Sequence, residues 1–210
     1  RELVAALFSA NANGFSVSRL HGSLVSQGWK VGKATLLAYL GHLVDAFLVF
    51  LVPIRTRSAR QRAVNPRKVY AIDPGLAAAM YRAGTGNRGA QLENAVYLDL
   101  RRRYGRLADS AVTWAKTASG KEVDFAVDDP VREGPPRLVQ VCEQLRDPVT
   151  RKREVGALAE AMREFGCSSG TVVTLTDEER IDTDAGPIHV VPAREWFFRG
   201  GPAPGEPAFD

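Results

Sequence analysis

What the chain lacks narrows its reading first. It holds two cysteines in 210 residues, Cys142 and Cys167, so no disulfide framework supports it and a reducing compartment suits it. No apolar run approaches the roughly 20 residues of a membrane-spanning helix, and no signal-peptide pattern is present. The expectation is a cytoplasmic protein with no membrane partner. Acids are missing between Asp45 and Asp73, where Arg55, Arg57, Arg60, Arg62, Arg67 and Lys68 concentrate positive charge. A phosphate-binding loop is missing too. Gly28-Trp29-Lys30-Val31-Gly32-Lys33-Ala34 has one residue too few between its glycines, and Ala34 stands where a hydroxyl should follow Lys33. ATP binding by this chain is therefore not expected. An initiating Met is absent: the chain opens at Arg1, directly in helical pattern, as a piece of a longer protein would.

What is present is ordinary globular material. The chain is 45% hydrophobic and 25% charged, and its length allows one large domain or two small ones. A net charge of +4 permits nucleic-acid contact without demonstrating it.

Residues 1–75 read as three helices and a hairpin. Leu3, Val4, Leu7 and Phe8 have helical spacing. Ser16 is a candidate N-cap for a second helix. Leu36, Leu37, Leu40, Leu43 and Val44 give a third. Strands follow at 47–52 and 68–72, joined by the basic loop 55–66. This is the order of a winged helix-turn-helix. On that reading the third helix is the recognition helix, and Lys33, Arg55, Arg57, Arg60 and Arg62 are the candidate nucleic-acid contacts. Residues 76–90 read as a short helix and a Gly-rich linker, with a hinge at 84–89.

Residues 91–199 read as an α/β domain with a mixed sheet. Leu92, Ala95, Val96 and Leu100 mark its first helix. In Glu122-Val123-Asp124-Phe125-Ala126-Val127, strict alternation puts Glu122 and Asp124 on one face and Val123, Phe125 and Val127 on the other. The strand Arg137-Leu138-Val139-Gln140-Val141-Cys142 puts Gln140 and Cys142 on one face. Asp147-Pro148 starts a long helix, and two further strands and a short helix follow. Residues 200–210, rich in Gly and Pro, read as a flexible tail.

Helix with Glu93, strand with Asp124, strand with Gln140 and Cys142: this order resembles the PD-(D/E)XK nuclease-like core. Gln140 stands where that core has a second acid, and Cys142 where it has a lysine. Together with Leu36-Leu37-Ala38-Tyr39-Leu40, Lys68-Val69-Tyr70-Ala71-Ile72-Asp73-Pro74-Gly75-Leu76 and Leu92-Glu93-Asn94, the chain resembles the C-terminal half of a family of prokaryotic AAA+ ATPases. In that family an ATPase module precedes a winged helix and a nuclease-like domain of unassigned function. The resemblance implies a missing N-terminal ATPase module as partner and ATP hydrolysis by the parent protein alone; DNA as a further partner follows from the winged-helix reading and its basic loop. It also implies Glu93, Asp124 and Gln140 as a degenerate ligand set for Mg2+, with Lys116 as the lysine that could swing in. A Cys142 nucleophile has no histidine placed beside it. Three functions follow: a non-catalytic DNA- or partner-binding module, an Mg2+-dependent nuclease with a displaced lysine, or a pure protein scaffold.

Overall fold

A computed structural model describes residues 2–56, 58–80, 87–131 and 133–199. Its architecture is mixed α/β, with two separate sheets. The N-terminal part runs α1 (Glu2–Ser9), β1 (Gly14–Phe15), α2 (Val17–Ser26), α3 (Lys33–Asp45), β2 (Val49–Val52), α4 (Ala59–Val64), β3 (Arg67–Ala71) and α5 (Pro74–Met80). The Ser16 hydroxyl caps α2 by accepting from the Arg19 N–H. β3 lies between β1 and β2 and is antiparallel to both.

The central strand β3 is buried on both faces, and its period-2 alternation divides it. Val69 and Ala71 join Leu3, Leu7, Leu40 and Val49 in a core under the N-terminal helices. Tyr70 turns the other way. With Phe50 and Val52 it enters a second core built mainly from the C-terminal part.

That part runs α6 (Arg88–Tyr104), a 3-10 turn (Gly105–Leu107), α7 (Ala108–Ala111), β4 (Val112–Lys116), β5 (Glu122–Val127) and β6 (Arg137–Val141). It continues through α8 (Pro148–Phe165), β7 (Gly170–Thr174), β8 (Glu179–Thr183), β9 (Gly186–Pro192) and α9 (Ala193–Arg199). The six strands lie in the order β4-β5-β6-β7-β9-β8. β6–β7 and β7–β9 are parallel and the other pairs antiparallel, so the sheet is mixed. α6 covers one face through Leu92, Val96, Tyr97 and Leu100. α8 covers the other through Leu158, Ala161 and Met162. Among the described residues no helix is long and apolar enough to cross a membrane.

Two expectations change, and two fall partly or wholly outside the described residues. The stretch 55–66 is not all loop: Ser58 caps the short α4 within it. The short helix expected at the start of 76–90 is α5, and α6 already begins at Arg88; 81–86, and with them most of the expected hinge, lie outside the described residues. The tail 200–210 also lies outside them. Finally, β5 does not alternate strictly. Thr113 pairs with Ala126 and Ala115 with Val123, so Trp114 alone opposes both Asp124 and Phe125. Such a two-against-one bulge turns consecutive side chains to one side. Phe125 and Val127 face the α6 core, and Val123 and Ala126 face the α8 core. Asp124 is thereby turned to the α6 side along with Phe125.

The two parts share one core and are not packed independently. Tyr70 stacks on Tyr97 with ring centroids 4.4 Å apart and lies 5.6 Å from Phe125. Backbone bonds join Arg55 N to Trp114 O at 2.7 Å and Trp114 N to Pro53 O at 3.1 Å, which partly covers the β4 edge.

Candidate functional site

Glu93, Asp124 and Gln140 line one cleft of about 420 Å3 at the end of the sheet. Each arrives by a different route. Glu93 and Asn94 are adjacent on α6, and both turn toward β3. The Asn94 side chain accepts from Ala71 N at 2.8 Å and donates to Ala71 O at 2.9 Å, which satisfies a buried backbone pair and clamps β3 to the helix. Glu93 is thereby held against Lys68 and Tyr70.

Lys68 fills the space between the two carboxylates. Its Nζ donates to Glu93 Oε1 at 2.9 Å and to Asp124 Oδ1 at 2.7 Å. The Tyr70 hydroxyl donates to the same Glu93 oxygen at 2.8 Å. The second Asp124 oxygen accepts from Val141 N at 2.9 Å. All four side chains are buried. Burial works against the Lys68 charge, but Asp124 and Glu93 more than offset it and raise its pKa above the ordinary value. Lys68 is therefore an ammonium at any physiological pH. Burial, and then the Asp124 charge, push Glu93 up to about 8, with Lys68 and Tyr70 opposing. Burial also raises the Tyr70 phenol well above its usual range, so it remains a donor.

Gln140 is on the opposite side of its strand from the neighbours that face α6. Its Oε1 accepts from Asp124 N at 3.2 Å, and its Nε2 donates to Glu154 Oε2 at 2.6 Å on α8. The other Glu154 oxygen accepts from Arg153. Gln140 thus braces the bulged strand against α8. Cys142 is packed in the α8-side core. Burial, with Glu154 and Asp124 nearby, pushes its thiol up to about 12. A protonated, packed thiol is a poor nucleophile.

The lysine expected here is a different one. Lys116 is exposed at the end of β4, with its Nζ 3.9 Å from Glu122, and takes no part in the cleft. The side chains present do not fit Mg2+. With Lys68 in place, one oxygen of each of Glu93 and Asp124 is committed to an ammonium, the second Asp124 oxygen to an amide N–H, and the Gln140 carbonyl to another. A Mg2+ ion takes much of its shell from water but needs one or two carboxylates to hold it, and here both are paired with a buried ammonium whose charge opposes a second cation. Among the described residues, no group of three or more His, Cys, Asp or Glu side chains is placed to hold a metal ion.

The basic residues divide between two other clefts. Lys33 starts α3 and lines a groove with Arg19 and Arg67. Arg55 instead pairs with Asp128 of the C-terminal part at 2.5 Å and lies over the Phe165 ring. Arg62 donates to Thr56 O at 2.9 Å and lines the Arg55 cleft. Arg60 is exposed on α4, and Arg57 lies outside the described residues. Lys33 thus lines a different cleft from Arg55 and Arg62.

Sequence reasoning missed Lys68, Tyr70, Asn94 and Glu154. The sequence places Lys68 at the start of the strand 68–72 and groups its charge with the acid-free basic stretch. The available signal was its place at i−2 from Tyr70 in a short strand whose other positions, Val69 and Ala71, are apolar: a strand sandwiched between two layers buries both faces.

A family model described as a domain of unknown function (DUF8612) matches residues 1–88. The chain is 28% identical over 199 residues to an uncharacterized protein, MJ1544, of Methanocaldococcus jannaschii; the match covers 90% of this chain and 42% of that protein. The chain thus spans about two fifths of the length of this curated relative. No solved structure matches the chain.

Proposed function

We propose that this chain is a non-catalytic module from the C-terminal part of an AAA+ ATPase-type protein. It joins a winged helix to a PD-(D/E)XK-like domain and contacts DNA or partner domains. The order of three helices and a three-stranded antiparallel sheet supports the winged helix. A mixed sheet with Glu93 on the covering helix and Asp124 on a bulged strand supports the nuclease-like ancestry.

One observation carries the non-catalytic reading: the Lys68 ammonium, delivered by the N-terminal part, neutralises Glu93 and Asp124 from within. A divalent cation between those carboxylates would polarise a phosphate. The lysine instead turns them into a joint between the two parts of the chain. Incubation with supercoiled and single-stranded DNA in Mg2+ or Mn2+ tests this. No cleavage above that of Asp124→Ala is expected. Metal-dependent cleavage that Asp124→Ala abolishes overturns the proposal.

A second reading has one specific observation in its favour. Lys68 could be the displaced lysine of an active nuclease, because it lies within hydrogen-bond distance of both acids. In that case the intact chain cuts DNA and Lys68→Met does not. The pure scaffold reading separates from the DNA-contacting one in a salt titration of DNA binding, since phosphate contacts release counterions and protein contacts to an ATPase do not.

A further inference from the structure

A groove on the N-terminal part, away from the Glu93–Asp124 cleft, has the character of a peptide site. It lies between the start of α2, the outer side of α3 and the strands β2 and β3, and encloses about 520 Å3. Phe15, Val17, Leu37, Leu40 and Leu51 give it an apolar lining. Leu37 is 50% exposed although it sits mid-helix, one residue from the buried Leu36. Arg19, Lys33 and Arg67 stand along the same groove, all exposed. No acid lines it. Among the described residues none of the three cations is joined to a carboxylate.

The two properties together select the occupant. Phosphates would satisfy the cations and leave the apolar lining in water. A base-reading helix needs Arg, Asn or Gln aimed at base edges. Beside Leu37 at helical spacing stand Lys33, Ala34, Leu40 and Gly41; Lys33 is the one side-chain donor among them, and none of the four is Arg, Asn or Gln. A peptide with apolar anchors between acids satisfies both the lining and the rim, in the manner of an amphipathic segment laid in a groove. We infer that this groove docks an acidic amphipathic segment of a partner protein, with apolar anchors over Leu37 and Leu40 and carboxylates on Arg19, Lys33 and Arg67. The inference does not depend on whether the C-terminal part cleaves DNA, because no residue of the groove belongs to that cleft.

The test uses the whole chain and fluorescein-labelled synthetic peptides with Leu, Phe or Trp at i, i+3 and i+4 spacing among Glu and Asp. Matched peptides replace the anchors with Ala, or the acids with Lys, and labelled duplex DNA is run beside them. Saturable anisotropy changes are expected with the acidic anchored peptides and with neither control. Leu37→Ser and Arg67→Glu should each weaken binding about tenfold, the charge reversal more so at low salt. Trp29→Ser, at an exposed aromatic that does not line the groove, should leave it within about twofold. Leu37 and Arg67 are surface positions, and circular dichroism confirms that the variants are folded; Lys33→Glu serves as a second charge reversal. The inference is overturned if no anchored acidic peptide binds, or if Leu37→Ser binds as the parent does. It is also overturned if duplex DNA binds in the groove, shown by loss with Arg67→Glu and Lys33→Glu but indifference to Leu37→Ser. The DNA cleavage assay reads a different site, so either proposal can fail alone.

Discussion

Lys68 holds together groups that would otherwise repel. With Glu93 protonated at neutral pH, removing Lys68 leaves the Asp124 carboxylate buried without its cation, and breaking a buried ion pair from one side costs about 3–5 kcal/mol. Lys68→Met should therefore lower stability to urea at pH 7 by about that much, and adding Asp124→Asn should recover part of the loss by removing the stranded charge. If Lys68→Met unfolds at the parent's urea midpoint, the ion cluster contributes nothing. Glu93 supplies a pH signature. Its folded pKa of about 8 lies above the ordinary carboxylate value of 4.5, so between those values the folded chain holds a proton that the unfolded chain has released. The resulting stability is fully present below about pH 4.5 and is lost as pH rises through about 8. Urea midpoints measured from pH 5 to pH 9 should fall more steeply for the parent than for Glu93→Gln. Parallel slopes would place the proton elsewhere.

Among the elements, β5 and β6 separate what could be read from the chain from what could not. The helices, the mixed sheet and the convergence of Glu93, Asp124 and Gln140 on one cleft follow from residue order and periodicity, because each depends on local pattern and on which strands are neighbours. The faces do not follow. The bulge opposite Trp114 depends on pairing with β4, a long-range contact that no window of β5 encodes. The partners of Lys68 were illegible for the same reason: they lie 25 and 56 residues away. Gln140 illustrates the consequence. Read as a weakened metal ligand, it invites repair to Glu. In the fold its amide links Asp124 N to Glu154. Gln140→Glu would set a carboxylate against a carboxylate at a contact now 2.6 Å long. It should cost about 1–3 kcal/mol at pH 7, shrinking toward pH 5 or with Glu154→Gln added, as read by thermal melts. A gain in stability would show that the Gln140–Glu154 contact is not made.

On the scale of the whole molecule, the question is whether the chain unfolds as one body or two. Two sheets and the change of element order between α5 and α6 favour two. The packing favours one. Phe50, Val52 and Tyr70 lie in the same core as Val96, Tyr97, Trp114 and Phe125. The Asn94 clamp, the Lys68 cluster and the strand contact at Trp114 all cross the same boundary. Separating the parts would bare that apolar surface and strand Glu93 and Asp124 without their cation. Each of these costs several kcal/mol, comparable to the whole stability of a domain of this size. Calorimetry should accordingly show one transition, with calorimetric and van't Hoff enthalpies in agreement. Lys68→Met at the joint and Leu158→Ala, deep under α8 on the far side of the sheet, should both move that same transition. Two resolved transitions, with Leu158→Ala shifting one of them and leaving the other in place, would mean that the shared core does not couple the parts. Lys68 would then be a removable contact between independent domains.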